Sequence, residues 1–86
     1  MRVDLYLKLM GVFKTRMAAK RLCDSCGVQQ GGRSLKPSQE ILAGQTLELS
    51  LPQKVLRLVV LEVPSDKSVA KADRARYASL ETLQER

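Results

Sequence analysis

Two adjacent glycines, Gly31 and Gly32, constrain the fold of this chain more than any other local feature. The turns that close two-residue β-hairpins need positive φ angles, which glycine adopts without a steric penalty. The pair therefore predicts a hairpin whose strands lie near residues 28–30 and 33–36. Pro37 cannot donate to a ladder, so it is expected to end the second strand or to lie on an edge.

Hydrophobic periodicity predicts two helices before this hairpin. The first covers residues 3–10 and is apolar on two sides, and Gly11 is expected to stop it. The second runs from Arg16 to Cys26 behind Thr15, whose hydroxyl can accept from a free amide of the first turn. One face of this second helix is small and apolar, and it carries Ala18, Ala19, Leu22, Cys23 and Cys26.

The pattern after the hairpin is first that of strands and then that of a helix. Residues 46–50 alternate as a half-buried strand, residues 55–63 form a longer β-rich run, and the helical period returns from residue 68. The order αα, ββββ, α predicts an α+β fold with two N-terminal helices on a small, mainly antiparallel sheet and a C-terminal helix. We expect residues 1–64 to form the domain and residues 65–86 to form a helical extension packed on it.

The positive charge of the chain is concentrated at one end. Residues 1–36 hold eight Lys or Arg and two Asp, a balance of +6 that equals the net charge of the whole chain. Residues 37–86 hold seven basic and seven acidic side chains. Such asymmetry indicates a polyanionic partner, either nucleic acid or an anionic membrane surface.

The composition is that of an ordinary soluble domain. No apolar run approaches the roughly 20 residues of a membrane helix. Asp4, Lys8 and Lys14 interrupt the apolar N-terminus, which argues against a signal peptide. We therefore expect a cytoplasmic protein with free thiols and without a membrane partner.

Six basic residues form the candidate site, which we call the basic surface: Arg2, Lys14, Arg16, Lys20, Arg33 and Lys36. Cationic side chains neutralise phosphates and release condensed counterions, so such a surface favours nucleic acid. Because the chain has only three aromatic residues, recognition of structured RNA by shape and phosphate is favoured over stacking on unpaired bases. Two alternatives to RNA binding remain. The charges can simply face solvent without a partner, or the protein can be an adaptor that binds an acidic protein through this surface.

Two further motifs suggest chemistry. Cys23 and Cys26 form a C-x-x-C, but the sequence has no histidine and no third cysteine to complete a zinc site. The pair also falls at the end of a helix, whereas a redox pair would begin one, so we expect both thiols to pack in the core; a thiol redox protein remains the enzymatic alternative. Asp4 is expected to complement the dipole of the first helix. No catalytic residue, metal ligand or cofactor is predicted, and the chain is not expected to be an enzyme.

Taken together, these residues resemble the S-four RNA-binding domain over about residues 2–50. The resemblance is carried by Arg2-Val3-Asp4, Tyr6-Leu7, Lys14-Thr15-Arg16, Ala19, Leu22, Val28, Gly32-Arg33, Lys36-Pro37-Ser38 and Ala43-Gly44-Gln45. By position, the six residues of the basic surface match the RNA-contacting positions of that family. The family usually has glycine where Cys26 stands and an Asn-Gly turn where this chain has Gly31 and Gly32.

The short format and the C-terminal segment narrow the resemblance to the small heat-shock-protein-fifteen and ribosome-quality-control S-four proteins. That likeness implies a protein that binds ribosomal RNA and tRNA on a large ribosomal subunit obstructed by peptidyl-tRNA. It also implies a role in ribosome-associated quality control or in recycling of stalled ribosomes, with a further protein partner on the stalled subunit. The chain is expected to be monomeric away from the ribosome.

Overall fold

The computed structural model describes residues 1–65 and 68–85, which form an α+β fold of short helices on one five-stranded sheet. Its helices are α1 (Val3–Leu9), α2 (Arg16–Asp24) and α3 (Arg74–Tyr77), the last preceded by a 3₁₀ turn (Lys71–Asp73). Its strands are β1 (Val28–Gln30), β2 (Arg33–Ser34), β3 (Thr46–Ser50), β4 (Lys54–Val60) and β5 (Ala78–Glu85). The predicted fold class is confirmed.

The sheet is antiparallel throughout, with the strand order β2-β1-β3-β4-β5. In β3 the apolar Leu47 and Leu49 are fully buried, while the polar residues that alternate with them are exposed. Side chains alternate across a strand, so this pattern gives the sheet one buried face and one solvated face. The buried face joins α1, whose Tyr6 and Leu7 are fully buried, in one hydrophobic core.

The hairpin and the helix start have the predicted geometry. Gly31 and Gly32 have φ angles of 58° and 81°, and they join Gln30 to its cross-strand partner Arg33. Two positive φ angles in succession are those of the turn that the glycine pair predicts. The Thr15 hydroxyl accepts from the amide of Ala18 at 3.1 Å and so caps α2.

The C-terminal segment differs from the prediction. A C-terminal helix is present, but α3 is a single turn, and residues 78–85 form strand β5 instead of continuing the helix. The open edge of β4 pairs with seven of the eight residues of β5, all except Leu83 at a register shift, and a short, weakly amphipathic helix could not match these hydrogen bonds. Positions 66, 67 and 86 of the predicted extension lie outside the described residues.

Two long-range contacts tie this C-terminal segment to α1. The buried Tyr6 hydroxyl donates to the carbonyl of Tyr77 at 2.9 Å, and burial raises the pKa of Tyr6. Arg74 donates from Nε to the carbonyl of Leu9 at 3.2 Å, so its cation lies at the C-terminal end of α1. The helix dipole favours a positive charge at that end.

Helix α2 ends at Asp24, before its predicted end at Cys26. Cys26, not Gly27, takes the left-handed conformation, with a φ of 61°. Gly27 is needed for another reason: a Cβ at this position would overlap the Leu22 side chain and lie 3.1 Å from the Leu22 carbonyl oxygen. The turn that follows α2 therefore carries a side chain at a position where glycine would be unstrained.

We expect Cys26→Gly to stabilise the protein by about 1 kcal/mol, because glycine adopts a left-handed conformation without the steric cost that cysteine bears. Urea unfolding under reducing conditions measures the change. Cys26→Ala is the matched control, since it removes the same thiol and keeps a Cβ at positive φ. Equal stabilities of the glycine and alanine variants would contradict the assignment of strain to this position.

Candidate nucleic-acid interface

The start of α1 is fixed by the segment that follows the hairpin. The amide of Val3 donates to the Gln39 carbonyl at 2.9 Å, and the amide of Asp4 donates to the Pro37 carbonyl at 3.3 Å. These bonds satisfy two of the amides that a helix start leaves without a partner. Arg2, which precedes the helix, forms an isolated antiparallel bridge with Glu40, so the backbone that carries its guanidinium is fixed.

Helix α2 brings two further cations next to this helix start. Its first turn begins with Arg16 behind the Thr15 cap, and Lys20 follows one turn later. Ala19 and Cys23 are buried on the neighbouring, core-facing side, and their small side chains let α1 and α2 pack closely. The charged face of α2 therefore borders its buried face, which places Arg16 within reach of α1.

Asp4 joins the two helices electrostatically. Its side chain is 3% exposed, and it accepts from Arg2 Nη2 at 3.2 Å and pairs with Arg16 Nε at 3.3 Å. Its second oxygen accepts from the amide of Leu5 at 2.8 Å. Both arginine side chains stay almost half exposed, at 44% and 46%. Asp4 thus holds two guanidinium groups side by side while leaving them accessible.

This role of Asp4 was not predicted from the sequence. Its position in the first turn of α1 is consistent with the predicted dipole effect, but the side chain is a buried counterion shared by two arginines. A signal was present, because Asp4 interrupts a helix that is apolar on two sides, and a carboxylate in such a setting needs a cationic partner. The identity of Arg16 as one partner could not be predicted, because this pairing depends on how α1 and α2 cross.

The side chains around Asp4 line an open cleft of about 420 Å³, which we call the basic cleft: Arg2, Asp4, Arg16, Met17 and Lys20. Three cations and one carboxylate give this lining a formal charge of +2. Guanidinium groups can fork onto phosphate oxygens, and a lysine ammonium adds a mobile point charge. Met17 is 58% exposed and supplies an apolar surface beside the charges.

The structure brings together three of the six predicted site residues and leaves the other three outside the cleft lining. Lys14, Arg33 and Lys36 are exposed, with Arg33 on β2 at one edge of the sheet. Over residues 1–65 and 68–85, none of these three side chains forms an ion pair. They are free to extend the positive charge beyond the cleft, and their contact with RNA stays a prediction.

The two cysteines have different environments. Cys23 is buried in the core, as predicted, and burial, with the charges of Asp4 and Asp24 next in importance, raises the pKa of its thiol to about 11. Cys26 is exposed, so the prediction that both thiols pack in the core is wrong for this residue. The left-handed turn at the end of α2 moves Cys26 off the core face. A raised pKa disfavours the thiolate on which redox chemistry depends.

Iodoacetamide at pH 8 is expected to alkylate Cys26 and to spare Cys23, because only Cys26 is exposed and the Cys23 thiol stays protonated. Labelling of Cys23 should rise only as the pH approaches about 11. Mass spectrometry of the folded protein measures both rates, with urea-unfolded protein as the control for intrinsic reactivity. Rapid labelling of Cys23 at pH 8 would instead favour the redox alternative.

Among the described residues, no helix combines the length and apolar character needed to cross a membrane. No family model matches the chain, so the resemblance to the S-four domain stays a prediction. The fold itself is shared with heat shock protein 15 of Vibrio cholerae, whose trimeric structure matches this chain with a TM-score of 0.83. That likeness covers 94% of this chain and 81% of the other at 17% identity.

Nearer relatives are found both by sequence and by structure. The solution structure of the hypothetical protein HP1423 matches this chain with a TM-score of 0.81 and 30% sequence identity. The match covers 98% of this chain and 100% of that protein. The RQC P-site tRNA stabilizing factor of Helicobacter pylori is 30% identical over 82 residues, which cover 95% of this chain and 98% of that protein. The factor of the same name from Streptococcus pneumoniae is 32% identical over 75 residues, or 87% of this chain and 83% of that protein. The chain therefore belongs to the family of RQC P-site tRNA stabilizing factors.

Proposed function

We propose that this protein acts in ribosome quality control by binding tRNA and ribosomal RNA on a large ribosomal subunit obstructed by peptidyl-tRNA. The observation that carries the proposal is the paired arrangement of Arg2 and Arg16 on Asp4, with Lys20 beside them, in an accessible cleft. The names of the relatives, which describe stabilisation of tRNA in the P site, support the same function.

The mechanism is electrostatic docking of a preformed surface. Because Asp4 fixes the two guanidinium groups in the free protein, little side-chain entropy is lost when they meet phosphate oxygens. Arg33 on the hairpin and the exposed Lys14 and Lys36 add charge outside the cleft. Phosphate contacts fix the position of the protein, and the shape of the folded RNA supplies the specificity.

The basic surface binds and does not catalyse, and the protein works without a cofactor. Stabilising a tRNA requires only that the bound state be lower in free energy, and every polar group of the basic cleft is suited to that task. We further propose that the protein is an S-four-type domain, cytoplasmic, and monomeric away from the ribosome. A protein partner on the obstructed subunit is compatible with the faces that the basic surface leaves free.

Binding to purified large subunits tests this function. We expect subunits that carry peptidyl-tRNA to bind the protein at least about tenfold more tightly than subunits without tRNA, because only the former offer both RNA surfaces. With about four to six phosphates contacted, the log–log salt dependence should have a slope between about −3 and −5. Cosedimentation over a salt series measures both quantities. Equal affinity for the two kinds of subunit, or a flat salt response, would contradict the proposal.

A further inference from the structure

The opposite end of α1 from the basic cleft carries a second concave surface, which we call the C-terminal pocket. It has a volume of about 370 Å³ and is lined by Met10, Lys71, Arg74, Ala75, Ala78 and Leu80. None of these residues belongs to the basic surface. The pocket lies between the end of α1, the turn before α3 and the first residues of β5.

The lining of this pocket is amphipathic. Met10, Ala75, Ala78 and Leu80 are apolar, and Leu80 remains 48% exposed. Lys71 and Arg74 supply positive charge, and the lining residues that the structure describes include no carboxylate. The phosphate backbone of a nucleic acid has no apolar group that could pack against this lining. A protein segment can present an apolar side chain and a carboxylate together.

The pocket adjoins an open edge of the sheet. Strand β5 is the last of the five strands, so its outer side carries backbone amides and carbonyls without a neighbouring strand among the described residues. Seven of its eight residues are exposed, and it contains no proline or lysine to block the addition of a strand. Such an edge can bind an extended segment by main-chain hydrogen bonds.

The edge and the pocket share two residues. Ala78 and Leu80 pair across the ladder with Val60 and Leu58, which are buried on the helix-covered face of the sheet. Ala78 and Leu80 therefore point to that same face, where they form part of the pocket. A strand added beside β5 would direct alternate side chains over the pocket, towards Leu80 and the two cations.

We propose that β5 and the C-terminal pocket together bind an extended segment of a partner protein, one face of which alternates apolar and acidic side chains. The apolar side chain contacts the exposed Leu80, and the carboxylate pairs with Lys71 and Arg74. The surface is separate from the basic cleft, so the proposal does not depend on RNA binding.

A designed peptide tests the proposal on the full-length chain. The probe is a fluorescein-labelled octapeptide with threonine at every second position and leucine and glutamate alternating between them. Fluorescence anisotropy should show saturable binding, and amide shifts in ¹⁵N NMR spectra should be confined to β5, α3 and the end of α1. The same peptide with lysine in place of glutamate should bind at least about tenfold more weakly. Absence of saturable binding at millimolar probe would overturn the proposal.

Two variants and a matched control locate the contacts. Lys71→Glu and Leu80→Glu should each weaken peptide binding by about tenfold, since one removes the charge match and the other the apolar floor. Arg21→Glu reverses the charge of an exposed residue on α2, which contributes nothing to the pocket, and should change the affinity less than about twofold. An equal effect of Arg21→Glu would show attraction by net charge alone and would reject a specific site.

Backbone pairing and competing occupants are tested separately. N-methylation of every second peptide residue blocks hydrogen bonds on one edge of the added strand. Of two peptides, one methylated at the odd positions and one at the even positions, one should therefore lose binding and the other should keep it. Unchanged binding of both peptides would exclude strand addition. If sedimentation equilibrium shows a dimer that Leu80→Glu dissociates, the surface binds a second copy of the chain. If the RNA affinity falls with Lys71→Glu but not with Arg21→Glu, the surface binds RNA. Either result overturns the proposal.

Discussion

Replacing Arg16 and Lys20 together by alanine is expected to weaken binding to large subunits that carry peptidyl-tRNA by on the order of 100-fold. Each side chain lines the basic cleft, and a charge-assisted contact with phosphate contributes roughly 1.5 kcal/mol or more. The magnitude of the log–log salt slope should also fall by about 2, because two phosphates lose their cations. Cosedimentation over a salt series gives both values.

The control for this variant removes the same charges elsewhere. Lys54 and Arg57 are exposed on β4, and within residues 1–65 and 68–85 Arg57 pairs with Glu81 alone, in a weak surface contact of 3.5 Å. The Lys54→Ala, Arg57→Ala variant should keep its RNA affinity within about threefold, and circular dichroism should show that both double variants remain folded. If the two double variants bind equally weakly, net charge rather than the basic cleft governs binding.

The second large effect concerns stability. Replacing Arg2 and Arg16 together by alanine leaves the Asp4 carboxylate buried without either cation. An uncompensated buried charge lowers the free energy of unfolding by about 3 kcal/mol, which in a domain of this size shifts Tm by roughly 15 °C. Thermal unfolding measures the shift. Each single variant should lose much less, because the remaining arginine still pairs with Asp4.

A third substitution separates stability from binding. Adding Asp4→Asn to the Arg2→Ala, Arg16→Ala variant removes the stranded charge and should restore most of the lost Tm, while RNA binding stays weak. If the triple variant is as unstable as the double, the arginines support the fold through packing of their aliphatic stems instead of through Asp4. If RNA binding recovers as well, Arg2 and Arg16 are not part of the RNA surface.

Local patterns predicted most of the fold. The glycine pair, the Thr15 cap and the alternation in β3 each act over a few residues, and each appears in the structure as expected. The C-terminal strand was not predictable in the same way. Residues 78–85 carry a helical spacing of leucines, and only the free edge of β4, which is a tertiary feature, makes them a strand.

The candidate site was also predicted only in part, because its charges are visible in the sequence and its tertiary contacts are not. Charge counting identified Arg2, Arg16 and Lys20, because an excess of one sign is visible in the sequence. The pairing of both arginines with Asp4 requires the crossing of α1 and α2, and no local pattern specifies that crossing. The exposure of Cys26 likewise follows from a single backbone angle and not from its place on a helical wheel.

The carboxylate shared between two helices has a consequence for how this surface can change during evolution. Because Asp4 is buried and two guanidinium groups compensate its charge, either arginine can be replaced while the other remains. Loss of both arginines is tolerable only after Asp4 has itself become neutral. Substitutions at positions 2, 4 and 16 should therefore arise in a restricted order, with the neutral residue at position 4 appearing before the second arginine disappears. Lineages that remodel this basic surface should show that order as correlated replacement at the three positions that meet at Asp4.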